Sequence, residues 1–211
     1  MIQRYILNAS GKLNGLSRLI EQTVQLHTDR IAVMLGISDL DIVISHFPDL
    51  THPVIGIGGN AYDSHRLDIY LNADNENIAN SINEELLNVL SHEMHHCRRI
   101  GKVGHPKTLL DHLVIEGLAC HFEEIVNNGK DNSLFAELKN QDWNLLFLKY
   151  KPLLMDDKFD FKYWFLGSSP NELPKYSGYF VGYKLVTGFM AANKLTWNTV
   201  IDKDVGDFVR T

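Results

Sequence analysis

The feature that most constrains this chain is an H-E-x-x-H motif, His92-Glu93-Met94-His95-His96. Residues four positions apart lie on one face of an α-helix, so the imidazoles of His92 and His96 can reach the same metal ion. Glu93 would then project beside that ion, where its carboxylate can take a proton from a metal-bound water. The motif therefore predicts a helix that carries two metal ligands and a general base.

The residues around the motif carry separate signals for that helix. Ser81 and Glu84 are spaced as in a capping box, in which both side chains bind backbone N–H groups at a helix start. Apolar residues then recur at helical spacing, and Arg98 and Arg99 lie where cations suit the end of the helix dipole. We therefore predict a helix that begins at Ser81 and ends near Gly101.

A third metal ligand is needed, because a catalytic zinc ion usually has three protein ligands and leaves the fourth position for water. One extended form of the motif requires glycine at position 99 and histidine at position 102, where this chain has Arg99 and Lys102. Glu116 follows in the middle of the next predicted helix, where its carboxylate can fold back on the metal. We expect His92, His96 and Glu116 to bind one zinc ion.

The donor set favours a catalytic site over a zinc ion that only links two helices, since structural zinc prefers four closed ligands, commonly with cysteine. The two cysteines, Cys97 and Cys120, are predicted to be small buried thiols in a reducing compartment. His95 lies on the other flank of the helix, so we place it at the surface or beside the ligands rather than among them.

The remaining histidines and the acidic C-terminal residues have simpler interpretations. His105, His112 and His121 share no helix face with paired carboxylates, so we predict solvated or core histidines rather than a second metal site. The acidic residues 202, 204 and 207 are predicted to form a solvated tail.

Hydrophobic periodicity and turn residues predict the other elements. Three strands are expected, with a hairpin between the second and the third, at residues 41–45, 54–62 and 67–71. Four further helices are expected at residues 13–35, 108–127, 134–149 and 178–192, with Gly36 as the stop of the first and Thr108 at the start of the second. An irregular aromatic stretch is expected at residues 151–174. In this arrangement residues 1–40 are an N-terminal helical segment, 41–128 hold the sheet and the zinc-binding helices, and 129–211 are a helical C-terminal part.

Length and composition limit the class of protein. The chain has 211 residues and a formal net charge of −6, which argues against a nucleic-acid binder. It has neither a secretory signal pattern nor an apolar run of about 18 residues that would span a membrane. We expect a single domain, residues 1–211, that is soluble and cytoplasmic, with no membrane or nucleic-acid partner.

The metal motifs resemble those of the gluzincin metallopeptidases, in which H-E-x-x-H is completed by a glutamate from a following helix, often in an E-G-x-A context. Glu116-Gly117-Leu118-Ala119 has that form. The chain more closely resembles the YjaZ-like family of predicted zinc-dependent proteases of bacteria, through its compact size and the tyrosine-rich segment 176–183. The resemblance covers roughly residues 55–192.

The resemblance implies an α+β, zincin-like fold that is mostly helical, with a small twisted sheet packed over the active-site helix. It also implies that a peptide or protein substrate lies along the edge strand of this sheet, pairing through main-chain hydrogen bonds. Residues 66–72, just before the active-site helix, are our candidate for that edge strand.

The resemblance further implies that a later tyrosine or histidine stabilises the oxyanion of the tetrahedral intermediate. Tyr176, Tyr179 and Tyr183 are spaced to share one helical face, and packing is an equally good explanation for them. Among the three we choose Tyr179 first and Tyr183 second as the catalytic hydrogen-bond donor.

Two positions depart from the gluzincin pattern. An aspartate that often supports the first histidine is replaced by Cys120, so that support must come from Asp111, Glu123 or Glu124. Gly59 stands where gluzincin aminopeptidases carry a glutamate that binds a free N-terminus, which argues against an exopeptidase.

We therefore expect a zinc-dependent peptidase that cleaves internal peptide bonds, with Glu93 as the general base. The main alternative is a zincin-fold zinc-binding protein, regulatory or chaperone-linked, with little or no proteolytic activity. Hydrolysis of a non-peptide amide is a third reading, because the same metal chemistry permits it.

Overall fold

A computed structural model describes residues 1–130, 132–167, 169 and 171–209 of the chain. The fold is α+β, with helices and one four-stranded mixed sheet. Contacts within the chain group it into two compact units, Met1–Lys102 and Val103–Thr211. The single domain over residues 1–211 stays a prediction. Among the described residues, no helix is both long and apolar enough to cross a bilayer.

The first unit contains the whole sheet. Its strands are β1 (Ile2–Leu7), β2 (Leu40–His46), β3 (Ile57–Ala61) and β4 (Arg66–Leu71), in the order β1-β2-β4-β3. β2 pairs in parallel with β1 and β4, whereas β3 and β4 form the predicted antiparallel hairpin. The three predicted strands are confirmed. The N-terminal segment differs from the prediction, since it begins with a strand instead of being wholly helical.

The position of β4 corrects the prediction for the edge strand. β4 lies between β2 and β3, so the segment at 66–72 is inside the sheet, and β3 is the terminal strand on that side. The sequence pattern indicates the hairpin of β3 and β4, but it does not show that another strand also pairs with the other side of β4. β3 folds back on β4, while β2 joins β4 from the other side.

The helices of the first unit are α1 (Ser17–Leu35), α2 (Ile78–Glu84) and α3 (Leu86–Val103). α1 ends as predicted at Gly36, which adopts the left-handed conformation with φ of 66°. The capping box at Ser81 is wrong, because Ser81 is buried inside the short helix α2. The motif helix starts later, at Leu86, and runs two residues beyond Gly101.

The second unit is helical, as predicted for the C-terminal part. Its helices are α4 (Leu109–Val126), α5 (Trp143–Tyr150), α6 (Ser177–Asn193) and α7 (Trp197–Val200). Thr108 caps α4 in a capping box with Asp111. α5 covers only the second half of the helix predicted at 134–149. The stretch at 151–174 is irregular as predicted, with a π-helical turn at Lys162–Leu166; Ser168 and Pro170 lie outside the described residues.

Candidate metal centre

His92 and His96 lie one turn apart on α3, as the motif predicts. Their ring centroids are 4.4 Å apart and their planes are nearly perpendicular, at 82°. A nitrogen of each ring lies within 4.8 Å of a nitrogen of the other. Two imidazole nitrogens bound to one zinc ion at about 2.0–2.1 Å can be at most about 4 Å apart. Small side-chain rotations therefore suffice for both to bind one ion, and two imidazoles suit zinc chemically.

Glu93 is buried and lies against the backbone of β3. A methyl group built on Gly59 would be 2.5 Å from the Glu93 Cγ and 2.8 Å from its Oε1. The side chain of the predicted general base therefore reaches the terminal strand of the sheet, within the same unit that carries both histidines. Sequence reasoning did not anticipate this contact. Paired glycines inside a strand, Gly58 and Gly59, were the available signal, because such glycines mark a close approach of the backbone.

His95 is buried, with 2% of its surface exposed, so of the two predicted placements the one at the protein surface is excluded. Burial lowers its pKa well below the usual range, and the neighbouring His96 and Arg99 lower it further. His95 is therefore neutral at neutral pH. The flank of α3 that carries His95 belongs to the interior, where Arg99 is also buried.

Glu116, the predicted third ligand, is buried in α4 of the second unit. The adjacent Gly117 allows a close helix crossing, and the crossing partner within this unit is α6. A methyl group on Gly117 would be 2.3 Å from the carbonyl oxygen of Gly182, and one on Gly182 would be 2.0 Å from the carbonyl oxygen of Leu113. The crossing fixes α6, and with it Tyr183, against the α4 turn that carries Glu116.

The three candidate tyrosines do not share one helical face. Tyr176 precedes α6 in the left-handed conformation, with φ of 62°, so it lies outside the helix. Tyr179 packs edge-on against Phe165, with ring centroids 5.5 Å apart. Tyr183 donates a hydrogen bond of 2.9 Å from its hydroxyl to Oε2 of Glu124. Aromatic rings pack against both residues, since Tyr183 also stacks on the ring of His121.

The three carboxylates proposed to support the ligand histidines have partners within the second unit. Asp111 accepts hydrogen bonds from the backbone N–H groups of Lys107 and Thr108 at the start of α4. Glu123 accepts one from the side chain of Asn132, at 3.0 Å. Glu124 accepts the bond from Tyr183. Asp111 is therefore a helix cap, whereas the bond between Glu124 and Tyr183 joins two predicted candidates that sequence reasoning did not connect.

The other histidines behave as the sequence predicts. His105 is exposed, and His112 packs edge-on among Phe159, Phe161 and Phe165. His121 stacks on the ring of Tyr183 at a centroid distance of 4.1 Å, and burial lowers its pKa to about 4. Both cysteines are buried, as expected. A sulfur of Cys120 and an oxygen of Glu123 lie within 4.8 Å of each other.

Comparison with known families gives the site a context. Residues 58–210 match the model of a family described as "Predicted Zn-dependent protease (DUF2268)". The match covers well over half of the chain and includes β3, the motif helix α3, Glu116 and the tyrosines of α6. The chain therefore belongs to this family of predicted zinc-dependent proteases. No curated protein and no solved structure matches it.

Proposed function

We propose that this protein is a zinc-dependent endopeptidase in which His92, His96 and Glu116 bind a single zinc ion and Glu93 is the general base. The observation that carries the proposal is the arrangement on α3. Two imidazoles suited to zinc lie one turn apart, and a buried glutamate from the same turn reaches the terminal strand of the sheet. Membership of a family described as predicted zinc-dependent proteases supports it.

The chemistry follows from what these side chains can hold and move. A bound zinc ion supplies an acidified water and polarises the scissile carbonyl. Glu93 accepts the proton of the attacking water and passes it to the leaving amine. Its burial keeps bulk water away from this transfer, and its contact with Gly59 limits the positions that the carboxylate can take.

We place the substrate along β3, as in a zincin-like fold. In the pairing of β3 with β4, the N–H of Asn72 bonds to the carbonyl of Gly56, and the N–H of Tyr62 bonds to the carbonyl of Arg66. The alternation of an antiparallel pair then directs the backbone groups of Gly59 and Ala61 away from β4. An extended peptide can bond to these groups next to Glu93.

For the oxyanion we keep Tyr179 as the first candidate donor and Tyr183 as the second. Tyr179→Phe should therefore lower kcat more than Tyr183→Phe, measured on the same peptide. An equal loss in both variants would argue for a packing role.

The decisive experiment compares the zinc-loaded protein with Glu93→Gln on a diverse peptide mixture, with new termini read by mass spectrometry. We expect internal cuts by the wild type alone, since glutamine keeps the shape of glutamate and cannot accept a proton. Zinc content should be equal in both. Cuts of equal rate in the variant would exclude Glu93 as the base.

The third ligand is tested by zinc content in two variants of α4. Glu116→Ala should lower the affinity for zinc by more than Glu123→Ala does, because Glu116 is the proposed ligand and Glu123, seven residues further along α4, is only a candidate support for the histidines. Loss of zinc in the Glu123 variant alone would move the third ligand to Glu123, which lies beside the sulfur of Cys120.

The competing function is zinc binding in a regulatory or chaperone-linked role. It predicts that neither the wild type nor Glu93→Gln cuts any peptide while both retain zinc. Hydrolysis of a non-peptide amide gives the same result with peptides, and a panel of acylated amines as substrates distinguishes it.

A further inference from the structure

The inference concerns Gly59, whose position on β3 brings bare backbone against Glu93. Side chains of a strand alternate between its two faces, and Gly58 and Gly59 therefore point to opposite sides of the sheet. A methyl group on Gly59 meets three atoms of Glu93, with distances of 2.5 Å to Cγ, 2.8 Å to Oε1 and 3.0 Å to Cδ. These three atoms are its nearest neighbours, so the space that glycine leaves is occupied by the glutamate side chain.

Residues that precede β3 restrict the position of this strand on the side opposite Glu93. A methyl group on Gly58 would be 2.0 Å from the carbonyl oxygen of Leu50, in the turn that precedes β3. The N–H of His52 bonds to the carbonyl of Ile57 at 3.0 Å, and β4 fixes the opposite edge. Backbone on both sides leaves β3 little room to retreat, so a larger residue at 59 must move the flexible side chain of Glu93.

We propose that Gly59 is a positioning residue, which sets where the carboxylate of Glu93 lies. The inference rests on the proposed function for its catalytic consequence, but the contact itself does not depend on it. Non-bonded carbon atoms lie about 3.5–4.0 Å apart, so an alanine at 59 moves the Glu93 Cγ by about 1 Å. A displacement of about 1 Å at a catalytic group can lower turnover by about 100-fold.

The test is Gly59→Ala, measured in three ways. Zinc content should match the wild type, because the three atoms nearest to the added methyl group all belong to Glu93 and none to a proposed ligand. The kcat for a cleaved peptide should fall by about 100-fold, with a much smaller change in KM. A crystal structure of the metal-free variant should show the Glu93 carboxylate displaced, which is a readout that needs no activity.

Three further variants separate positioning from a general effect of removing a glycine. Gly58→Ala meets backbone instead of a side chain, so it should lower the unfolding midpoint. Gly15→Ala meets no atom within 4 Å and should change neither stability nor turnover. Glu93→Ala removes all three contacted atoms, and in that background the alanine at 59 should change neither zinc content nor the unfolding midpoint any further.

The outcomes distinguish this inference from the proposed function. If the wild type cuts peptides and Gly59→Ala cuts them equally fast with Glu93 unmoved, the inference is wrong and the function stands. If the wild type cuts nothing, the crystal structure still decides, since an unmoved Glu93 in the variant overturns the inference and a displaced one supports it.

Discussion

At the scale of the residue, the stacked His121 makes the stability of the second unit depend on pH. The pKa of His121 is about 4 in the folded protein, below the ordinary value of 6.5. At a pH between these two values, the unfolded chain binds a proton that the folded protein does not. Stability is therefore full above about pH 6.5 and falls as the pH drops towards 4. The loss is at most about 3 kcal/mol, at about 1.4 kcal/mol for each unit of pKa difference.

This prediction is measured by urea unfolding at pH 7 and pH 5. The three tryptophans, Trp143, Trp164 and Trp197, all lie in the second unit, so their fluorescence reports its unfolding. His121→Phe keeps a flat ring against Tyr183 and cannot bind a proton. The variant should lose less stability than the wild type between the two pH values, and parallel losses in both would refute the assignment.

Single residues also show how far sequence reasoning reaches. The spacing of His92 and His96 predicts that they share one face of α3, because four positions on a helix are about one turn. Their roles and that of Glu93 stay a prediction. The contact of Gly59 with Glu93 could not be predicted, since it joins residues far apart in the chain. The burial of His95 was missed for a related reason, because one helix alone does not reveal which of its flanks the rest of the fold covers.

At the scale of the element, the crossing of α4 and α6 depends on two glycines. We expect Gly182→Ala to destabilise the second unit by about 2 kcal/mol or more, because its methyl group would lie 2.0 Å from the backbone oxygen of Leu113. Gly188→Ala is the matched control on α6, where no atom lies within 4 Å. It should stabilise by about 0.5–1 kcal/mol through helix propensity. Urea unfolding followed by tryptophan fluorescence measures both.

If the two alanine variants of α6 unfold at the same urea concentration, the crossing tolerates a methyl group and the close approach has no energetic weight. A drop confined to Gly182→Ala would confirm that the glycine beside Tyr183 is kept for contact with α4. Circular dichroism at zero urea shows whether the helices of the variants are intact.

Elements were predicted well where local signals agreed and poorly where tertiary packing decided. The cap at Thr108 and the stop at Gly36 are local, and both are confirmed. Ser81 has the sequence of a cap but is buried within α2, so its packing overrode the local preference. The place of β4 inside the sheet depends on β2, which no pattern in β4 itself could reveal.

At the scale of the whole molecule, zinc should stabilise the folded protein. Of the proposed ligands, His92 and His96 belong to the first unit and Glu116 belongs to the second. An ion that binds only the folded state adds about 4 kcal/mol when its free concentration is 1,000 times the dissociation constant. We expect zinc to raise the unfolding midpoint reported by the tryptophans, and a chelator to reverse the rise.

The same experiment on His96→Ala tests whether these ligands act together. The substitution lies in the first unit, whereas the tryptophans report the second. If one ion needs both stretches of chain, the zinc-induced rise in midpoint should be largely lost in the variant. An undiminished rise would mean that zinc binds the second unit through other groups.

The glycines of β3 also bear on how easily this protein could associate with itself. A terminal strand offers backbone groups to any extended chain, including another copy, and long apolar edges of this kind promote aggregation. Gly59 can give an incoming strand hydrogen bonds, but neither Gly58 nor Gly59 has a side chain to pack against it, and side-chain pairs supply much of the stability of a sheet. A strand of this kind would hold a passing chain only briefly, which limits self-association and, under the proposed function, would let cleaved products leave.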